Sequence, residues 1–206
     1  PILVISSLLV AVILQKIVKG NLLKIGFLFP MAIPVASVVL LWKGVFDPQG
    51  FLNSFLNLFG ISGNDWMNTK SAFWVLVFSY VWKNMGYCMI LWLASLAAIP
   101  KEMYEAAKID GSGEMECFLY ITLPNLLSSF FTITVISLIN SFKVYREAYL
   151  VAGDYPDQSI YMMQHLFNNW FRDLSLDKLA VGAVINTAIF VVLIWGFWKG
   201  WGQMDE

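Results

Sequence analysis

Along this chain, long uncharged stretches alternate with short polar ones, and their lengths decide the fold class. Crossing about 30 Å of hydrocarbon takes about 20 helical residues at about 1.5 Å each. Residues 179–198 carry no charge between Lys178 and Lys199, and residues 118–142 carry none between Glu116 and Lys143. Residues 25–42 run uncharged between Lys24 and Lys43. Pro30 and Pro34 are expected to kink that helix rather than abolish it, because neighbouring helices can re-satisfy the freed carbonyls. Residues 71–98 hold one charge, Lys83, in an apolar run rich in Trp and Phe. Residues 1–14 are short for a crossing and begin at Pro1, with neither Met nor a targeting signal. The pattern predicts an all-α, polytopic transmembrane helical bundle with five visible spans in one membrane domain, 1–206, truncated at its N-terminus.

Two connections have a pattern of their own. Between Gly50 and Gly60, the residues Phe51, Phe55, Leu58 and Phe59 fall on one helical stripe; Ile160, Met163, Phe167, Trp170, Phe171 and Leu174 form a second over 160–174. Both predict amphipathic helices lying over the membrane domain. They either cap helix ends, with the stripe buried in the chain itself, or dock an external partner.

Composition agrees with the spans: 59% hydrophobic and 13% charged residues would leave large apolar patches on a water-soluble domain of 206 residues. A net charge of −1 offers no field for nucleic acid, and no nucleic-acid module signature is present. Cys88 and Cys117 have neither disulfide-framework nor metal-ligand spacing and read as packing residues. With a single histidine, His165, neither a His-rich metal site nor a His-based triad is available, and no GxxxxGK[ST] phosphate loop occurs. Lys and Arg divide evenly between the two sides, but they are denser in the short connections, which places 16–24, 99–117 and the C-terminus in the cytoplasm. Trp42, Trp74 and Trp198 near predicted span ends fit an aromatic belt; Trp82 and Trp92 lie deeper, as packing residues.

Residues 99–124, IPKEMYEAAKIDGSGEMECFLYITLP, interrupt the apolar pattern. Pro100 suits a first helical turn, Glu102, Glu105, Ala106, Ala107 and Lys108 favour helix, and Gly111 and Gly113 break it before a second short helix from Glu114 through Cys117. Two short helices joined at glycines predict a compact knob able to transmit force.

Glu105-Ala106-Ala107, then Asp110-Gly111, then Ile121-Thr122-Leu123-Pro124 resemble the EAA motif of permease subunits of ATP-binding cassette importers. More narrowly, the chain resembles carbohydrate-importer permeases related to the maltose permease pair. Further matches are Leu28-Phe29-Pro30, Leu41-Trp42, Phe46-Asp47-Pro48, Val81-Trp82-Lys83, Gly86-Tyr87, Ile99-Pro100, Tyr104 and Ser141-Phe142, so the likeness covers nearly the whole sequence. Departures are Ser112 where Ala is frequent, Ser128 where a second Pro is frequent, and Gly153-Asp154-Tyr155-Pro156 in place of a Gly-Gly-Pro-like turn. The resemblance implies a type I importer permease fold with a usual six-helix core, of which five helices are visible. It also implies that the 99–117 region is a cytoplasmic coupling helix seated in a cleft of an ATPase subunit. Glu105 would anchor it by charge, Ala106 and Ala107 would allow close approach, and Gly111 would allow the turn. Asp110 reads equally as a helix-end cap or an interface contact. Implied partners are a second permease, two ATPase subunits carrying ATP and Mg, an extracytoplasmic sugar-binding protein and membrane lipid, in a bacterial-type plasma membrane. No cofactor is expected on this chain, and no catalytic role.

Polar side chains inside spans either pair within the bundle or line a water-filled path. Asn84, Tyr87, Asn140 and Asn186, with Ser137 and Thr187 nearby, have the amides, hydroxyls and aromatic face that sugars use; interhelical hydrogen bonding is the competing role for each. Lys83 can snorkel or pair with an acid on a partner. A secondary transporter or channel would need coupling charges facing a pore, for which Lys83 is the only intramembrane candidate. A membrane enzyme would need paired acids, of which Glu102, Glu105, Asp110, Glu114 and Glu116 form the only cluster.

Overall fold

The computed structural model describes residues 1–17 and 22–202. Part of the connection 16–24 and the last four residues, both assigned above to the cytoplasm, lie outside the described residues. The regular elements of the described residues are all helices, with no strand, and the chain divides into two compact units: Pro1–Ile33 with Ser79–Phe142, and Pro34–Phe78 with the described residues from Lys143 onward.

In the first unit, α1 (Ile2–Ile17), α2 (Leu22–Ala32) and most of α5 (Ala72–Ala98) enclose the core. They are joined there by α6 (Lys101–Ile109), α7 (Glu114–Cys117), the π turn Phe118–Thr122, α8 (Leu123–Asn125) and α9 (Leu127–Ser141). Leu3, Val4, Ala11 and Leu14 of α1 pack with Met89, Trp92 and Leu96 of α5 and with Leu126 and Ile133. Trp92 is fully buried, as expected of a deep tryptophan, and its Nε1 donates to Ser7 Oγ at 3.1 Å. α5 and α9 run antiparallel: Trp92 lies 6.0 Å from Phe130, while Tyr80 donates its hydroxyl proton to the Ser137 carbonyl at 2.6 Å. At Gly86 the backbone of α2 comes so close that a Cβ would land on the Phe27 carbonyl, so only glycine permits this crossing. Both cysteines are free and buried, in agreement with a packing role.

In the second unit, α3 (Val35–Phe46) packs with α4 (Phe51–Leu58) and with α10 (Tyr145–Ala152), which also meets the start of α5. α11 (Met163–Arg172) packs with α12 (Leu176–Gly202) through Gly182, against Phe167 and Trp170.

Among the described residues, two helical runs are long and apolar enough to cross a membrane, Leu127–Ala152 and Leu176–Gly196. A third crossing is reached if Leu23–Ala32 and Val35–Leu58 count together. α5, at 27 residues, is long enough but is diluted by Tyr, Trp, Asn and Lys; α1 is apolar but short. Two expectations are corrected. Pro34 does not merely kink the span 25–42: helix ends at Ala32 and restarts at Val35, with Pro34 extended at ψ 144°. Pro30 stays inside α2, whereas Pro34 lacks an N–H and denies the residue before it the helical region. The span placed at 118–142 instead begins with a π turn and a break at Leu126, then runs on past Phe142 to Ala152. Pro124 supplies no N–H, and the backbone answers by pairing the Leu123 N–H five residues back with Phe118.

Candidate functional site

The interruption at 99–117 forms the two-helix knob that its residues predict. Pro100 precedes α6; Glu102 in its first turn and Lys108 in its last complement the helix dipole. At its end the Gly111 N–H donates to the Lys108 carbonyl at 3.1 Å and the Ser112 N–H to the Ala107 carbonyl at 2.9 Å. These two bonds make a Schellman stop. They require Gly111 in the left-handed region, at φ +87°, where a side chain is strained although a Cβ would meet nothing within 4 Å. α7 then starts at Gly113, whose N–H is accepted by Glu116 Oε2 at 2.8 Å.

A hydroxyl pair joins the knob to the membrane part, beside the packing of Ile99 and Tyr104 on the core. Tyr104 on α6 and Thr122 on the π turn are 2.9 Å apart, and Thr122 also donates to the Cys117 carbonyl at 3.3 Å. The rest of α6 is open: none of its side chains is buried, Glu105 and Ala106 are exposed, Ala107 is half-buried, and Asp110 lies exposed at the C-cap. Ile109, 86% exposed, and Met115, 69%, add uncovered apolar surface beside them. The knob thus presents a carboxylate, two small residues and two large apolar side chains on a turn with one favoured backbone shape.

The expected substrate-path residues separate. Asn84 and Tyr87 on α5 and Asn140 on α9 belong to the first unit, and Asn186 on α12 to the second. All four are half-buried. Asn84 shares a stripe of α5 with Tyr80 and Cys88, the residues that meet Ser137, and its amide donates back to the Tyr80 carbonyl at 2.8 Å. Tyr87 packs against the core of its unit. Thr187 donates to the Ala183 carbonyl one turn back, at 2.8 Å. Ser137, touching both Tyr80 and Cys88, acts as a helix–helix contact.

Both amphipathic helices are built with polar residues inside. On α4 the expected stripe is turned outward, with Phe51 71% and Leu58 81% exposed and Phe55 and Phe59 also uncovered. Its buried residue is Asn53, which donates to the carbonyls of Asp47, Pro48 and Asn64 and accepts from the Asn64 N–H and Trp66 Nε1. Of the two readings of that stripe, burial within the chain is not what α4 shows: closing the 47–66 loop takes an amide, so the apolar side is left outside. The second stripe is split, with Ile160 buried, Phe167 and Trp170 half-buried on Gly182, and Phe171 and Leu174 exposed. His165 and Asn169 occupy the inner side. Asn169 donates to the Asp154 carbonyl at 3.2 Å and to Tyr161 Oη at 3.1 Å. Arg172 pairs with Asp154, and this contact holds the carboxyl of Asp154 below the usual range.

His165 is fully buried between the rings of Tyr145 and Tyr161. Its Nδ1 accepts from the Met162 N–H at 3.1 Å, so the proton of the neutral ring sits on Nε2, which has no hydrogen-bond partner among the described residues. Burial pushes its pKa below 6.5, against a smaller opposing effect of Asp154. Sequence reading missed Ser7, Asn53 and the Tyr104–Thr122 pair as structural determinants. A polar residue on an otherwise apolar stripe was the available signal for Ser7; Asn53 lies opposite the apolar stripe of its helix, and the Tyr104–Thr122 pair joins residues 18 apart and has no sequence signature.

Residues 2–197 match the family described as "Binding-protein-dependent transport system inner membrane component". The trehalose/maltose transport system permease protein MalF of Thermococcus litoralis is 31% identical over 187 residues, covering 89% of this chain and 62% of the relative. The sn-glycerol-3-phosphate transport system permease protein UgpA of Escherichia coli O157:H7 is 30% identical over 193 residues, covering 91% of this chain and 65% of the relative. The chain thus spans less than two thirds of the length of these curated relatives. Among solved structures, a bacterial ABC transporter involved in import of the acidic polysaccharide alginate aligns with a TM-score of 0.86 at 18% identity, over 97% of this chain and 72% of that one.

Proposed function

The chain belongs to the family of binding-protein-dependent transport system inner membrane components, and we propose that it forms one membrane half of an ATP-driven importer of sugars or oligosaccharides. It is a multi-pass membrane protein of a transport family. On this reading it crosses the bilayer five times, through α1, the pair α2 and α3, α5, the run from α9 to α10, and α12. The knob and the C-terminus face the cytoplasm, and α4 and α11 lie on the outer surface. A second permease completes the path, two ATPase subunits supply the energy, and an extracytoplasmic binding protein delivers the substrate.

The observation that carries the reading is the knob. Glu105, Ala106 and Ala107 stand open to a partner on a helix closed by Gly111, and Tyr104 ties that helix to the root of the next span through Thr122. A partner that shifts α6 pulls on the π turn, and the break at Leu126 is where α9 can swing in response. Glu105 offers charge-assisted contact, Ala106 and Ala107 set the approach distance, and Asp110 borders the turn. Asn84, Tyr87, Asn140 and Asn186 are candidates for the path, their amides and ring suited to hydroxyl-rich substrates. The two relatives above are named for a disaccharide and for a polyol phosphate at nearly equal identity, so the substrate class is set by uptake assays with both kinds.

Purification of the intact membrane complex is expected to bring down an ATPase and a second permease. Glu105→Lys is expected to abolish substrate-stimulated ATP hydrolysis while leaving the complex folded. Gly111→Ala, strained at positive φ by about 1 kcal/mol, is expected to reduce coupling by less. Transport in membranes lacking any ATPase would overturn the reading.

A further inference from the structure

The turn between the knob and the next span is wider than an α-helical turn, and two features hold it so. The Leu123 N–H pairs five residues back, with the Phe118 carbonyl. In an α-helix that N–H would pair with Leu119, and the ring of Pro124 would press on the Tyr120 carbonyl four residues before it. The π turn relieves this clash. The second feature is a side chain. In the α-helices of this chain, hydroxyls such as those of Ser7, Ser95 and Thr187 bond the carbonyl three or four residues back. Thr122 instead reaches five back, to the Cys117 carbonyl at 3.3 Å, a bond matched to the wider turn. With its proton committed there, the buried Thr122 oxygen accepts from the Tyr104 hydroxyl at 2.9 Å.

We propose that the π turn is a two-state switch and that Tyr104 is the positioning residue that latches it, a role that rests on the importer function proposed for the chain. Tyr104 lies on α6, with its ring packed on the core and its hydroxyl directing the Thr122 proton to Cys117. While α6 stays in place, the relay of two hydroxyls holds the wide form. When α6 moves, the relay opens. Thr122 is then free to bond the Phe118 carbonyl four residues back, as in an α-helix, and the Leu123 N–H follows to Leu119. Closing the turn by one residue rotates the segment after it by about 100°, at 3.6 residues per turn. The break at Leu126 converts that rotation into a swing of α9. Pro124 disfavours the closed form throughout, so the turn widens again when α6 returns.

The test uses the membrane assembly purified with its ATPase in lipid nanodiscs, resting or trapped with MgATP and vanadate, and reads amide exchange by mass spectrometry. Trapping is expected to speed exchange over 118–126 in the unaltered chain and to leave the region around Trp92 as it was. Tyr104→Phe keeps the packed ring and removes the hydroxyl. In the resting assembly it is expected to speed exchange over 118–126 about fivefold, the effect of one hydrogen bond on an equilibrium, and so to approach the trapped state. Thr122→Val is expected to do the same, while Thr122→Ser, which keeps the hydroxyl, restores the original rate, a rescue that a role in packing alone would not give. All three variants are expected to retain the ATPase, because Glu105, Ala106 and Ala107 are untouched. Absence of an ATPase from the purified assembly would defeat the importer reading and the switch with it. With the ATPase present, an unchanged 118–126 segment on trapping, or resting exchange in Tyr104→Phe and Thr122→Val equal to that of the unaltered chain, would overturn the switch alone.

Discussion

α5 and α12 are the same length, 27 residues, and have opposite fates. α12 holds the more apolar of the two runs able to cross a membrane, yet no residue in its apolar window is buried. α5 carries Lys83, Asn84 and several Tyr and Trp, yet supplies Met89 and Trp92, among the largest fully buried side chains. In water the greasier helix would be the inner one. In a bilayer the solvent is itself apolar, so apolar side chains gain little by leaving it, and helix association rests on close packing and hydrogen bonds. α5 has both: a glycine crossing with α2, the Trp92–Ser7 bond, and the Tyr80 and Cys88 contacts with Ser137.

Paired substitutions sharpen that contrast. The largest effect is expected at the tryptophans: Trp92→Ala costs about 3–5 kcal/mol through the cavity it leaves, whereas Trp195→Ala, at a position 55% exposed, costs less than about 1 kcal/mol. Thermal unfolding in detergent measures both, and equal losses would break the comparison. Next come the glycines. Gly86→Ala drives a methyl into the Phe27 carbonyl and is expected to cost about 3 kcal/mol, while Gly196→Ala, with open space around it, stays within about 0.5 kcal/mol. Smaller still, Ser7→Ala strands the buried Trp92 N–H and is expected to cost about 1–2 kcal/mol. Thr187→Val removes only a bond within α12 and should be nearly neutral.

The smallest effect is one of pH. The folded chain holds His165 below its ordinary pKa of 6.5 through burial. Above 6.5 its contribution to stability is fully present. As pH falls below 6.5 the unfolded chain takes up a proton that the folded chain resists, and the contribution is lost as pH falls through the folded pKa. α11, which packs on α12, is therefore expected to lose amide protection between pH 8 and pH 5, while the region around Trp92 in α5 keeps its own. Hydrogen exchange read by mass spectrometry checks this, and His165→Gln should remove the difference.

Much of the candidate site was legible in the residues. Pro100, the Glu105-Ala106-Ala107 run, Gly111 and Gly113 specify their helices and their turn locally, because capping and positive φ depend on a few consecutive residues, and the knob has the shape those residues predict. The interruption at Pro34 was harder to place, because whether a proline kinks or ends a helix depends on what surrounds the freed backbone groups. The outward face of α4 was not legible either. The stripe itself is visible in the sequence, but which side is buried was settled by Asn53, whose five hydrogen bonds reach four residues outside the helix that its pattern does not contain.

By itself the sequence determined that this protein is helical and membrane-embedded, where charge interrupts the apolar runs, and that the interruption at 99–117 folds into a glycine-stopped knob. These follow from run lengths, backbone propensities and the cost of charge in hydrocarbon, which act over a few turns of chain. Only the tertiary structure decided which apolar helix became core and which stayed on the surface of the chain, which asparagine closes a loop, and that Tyr104 reaches Thr122. Those outcomes depend on side chains distant in sequence arriving at hydrogen-bond distance, and periodicity and charge pattern carry no measure of that distance.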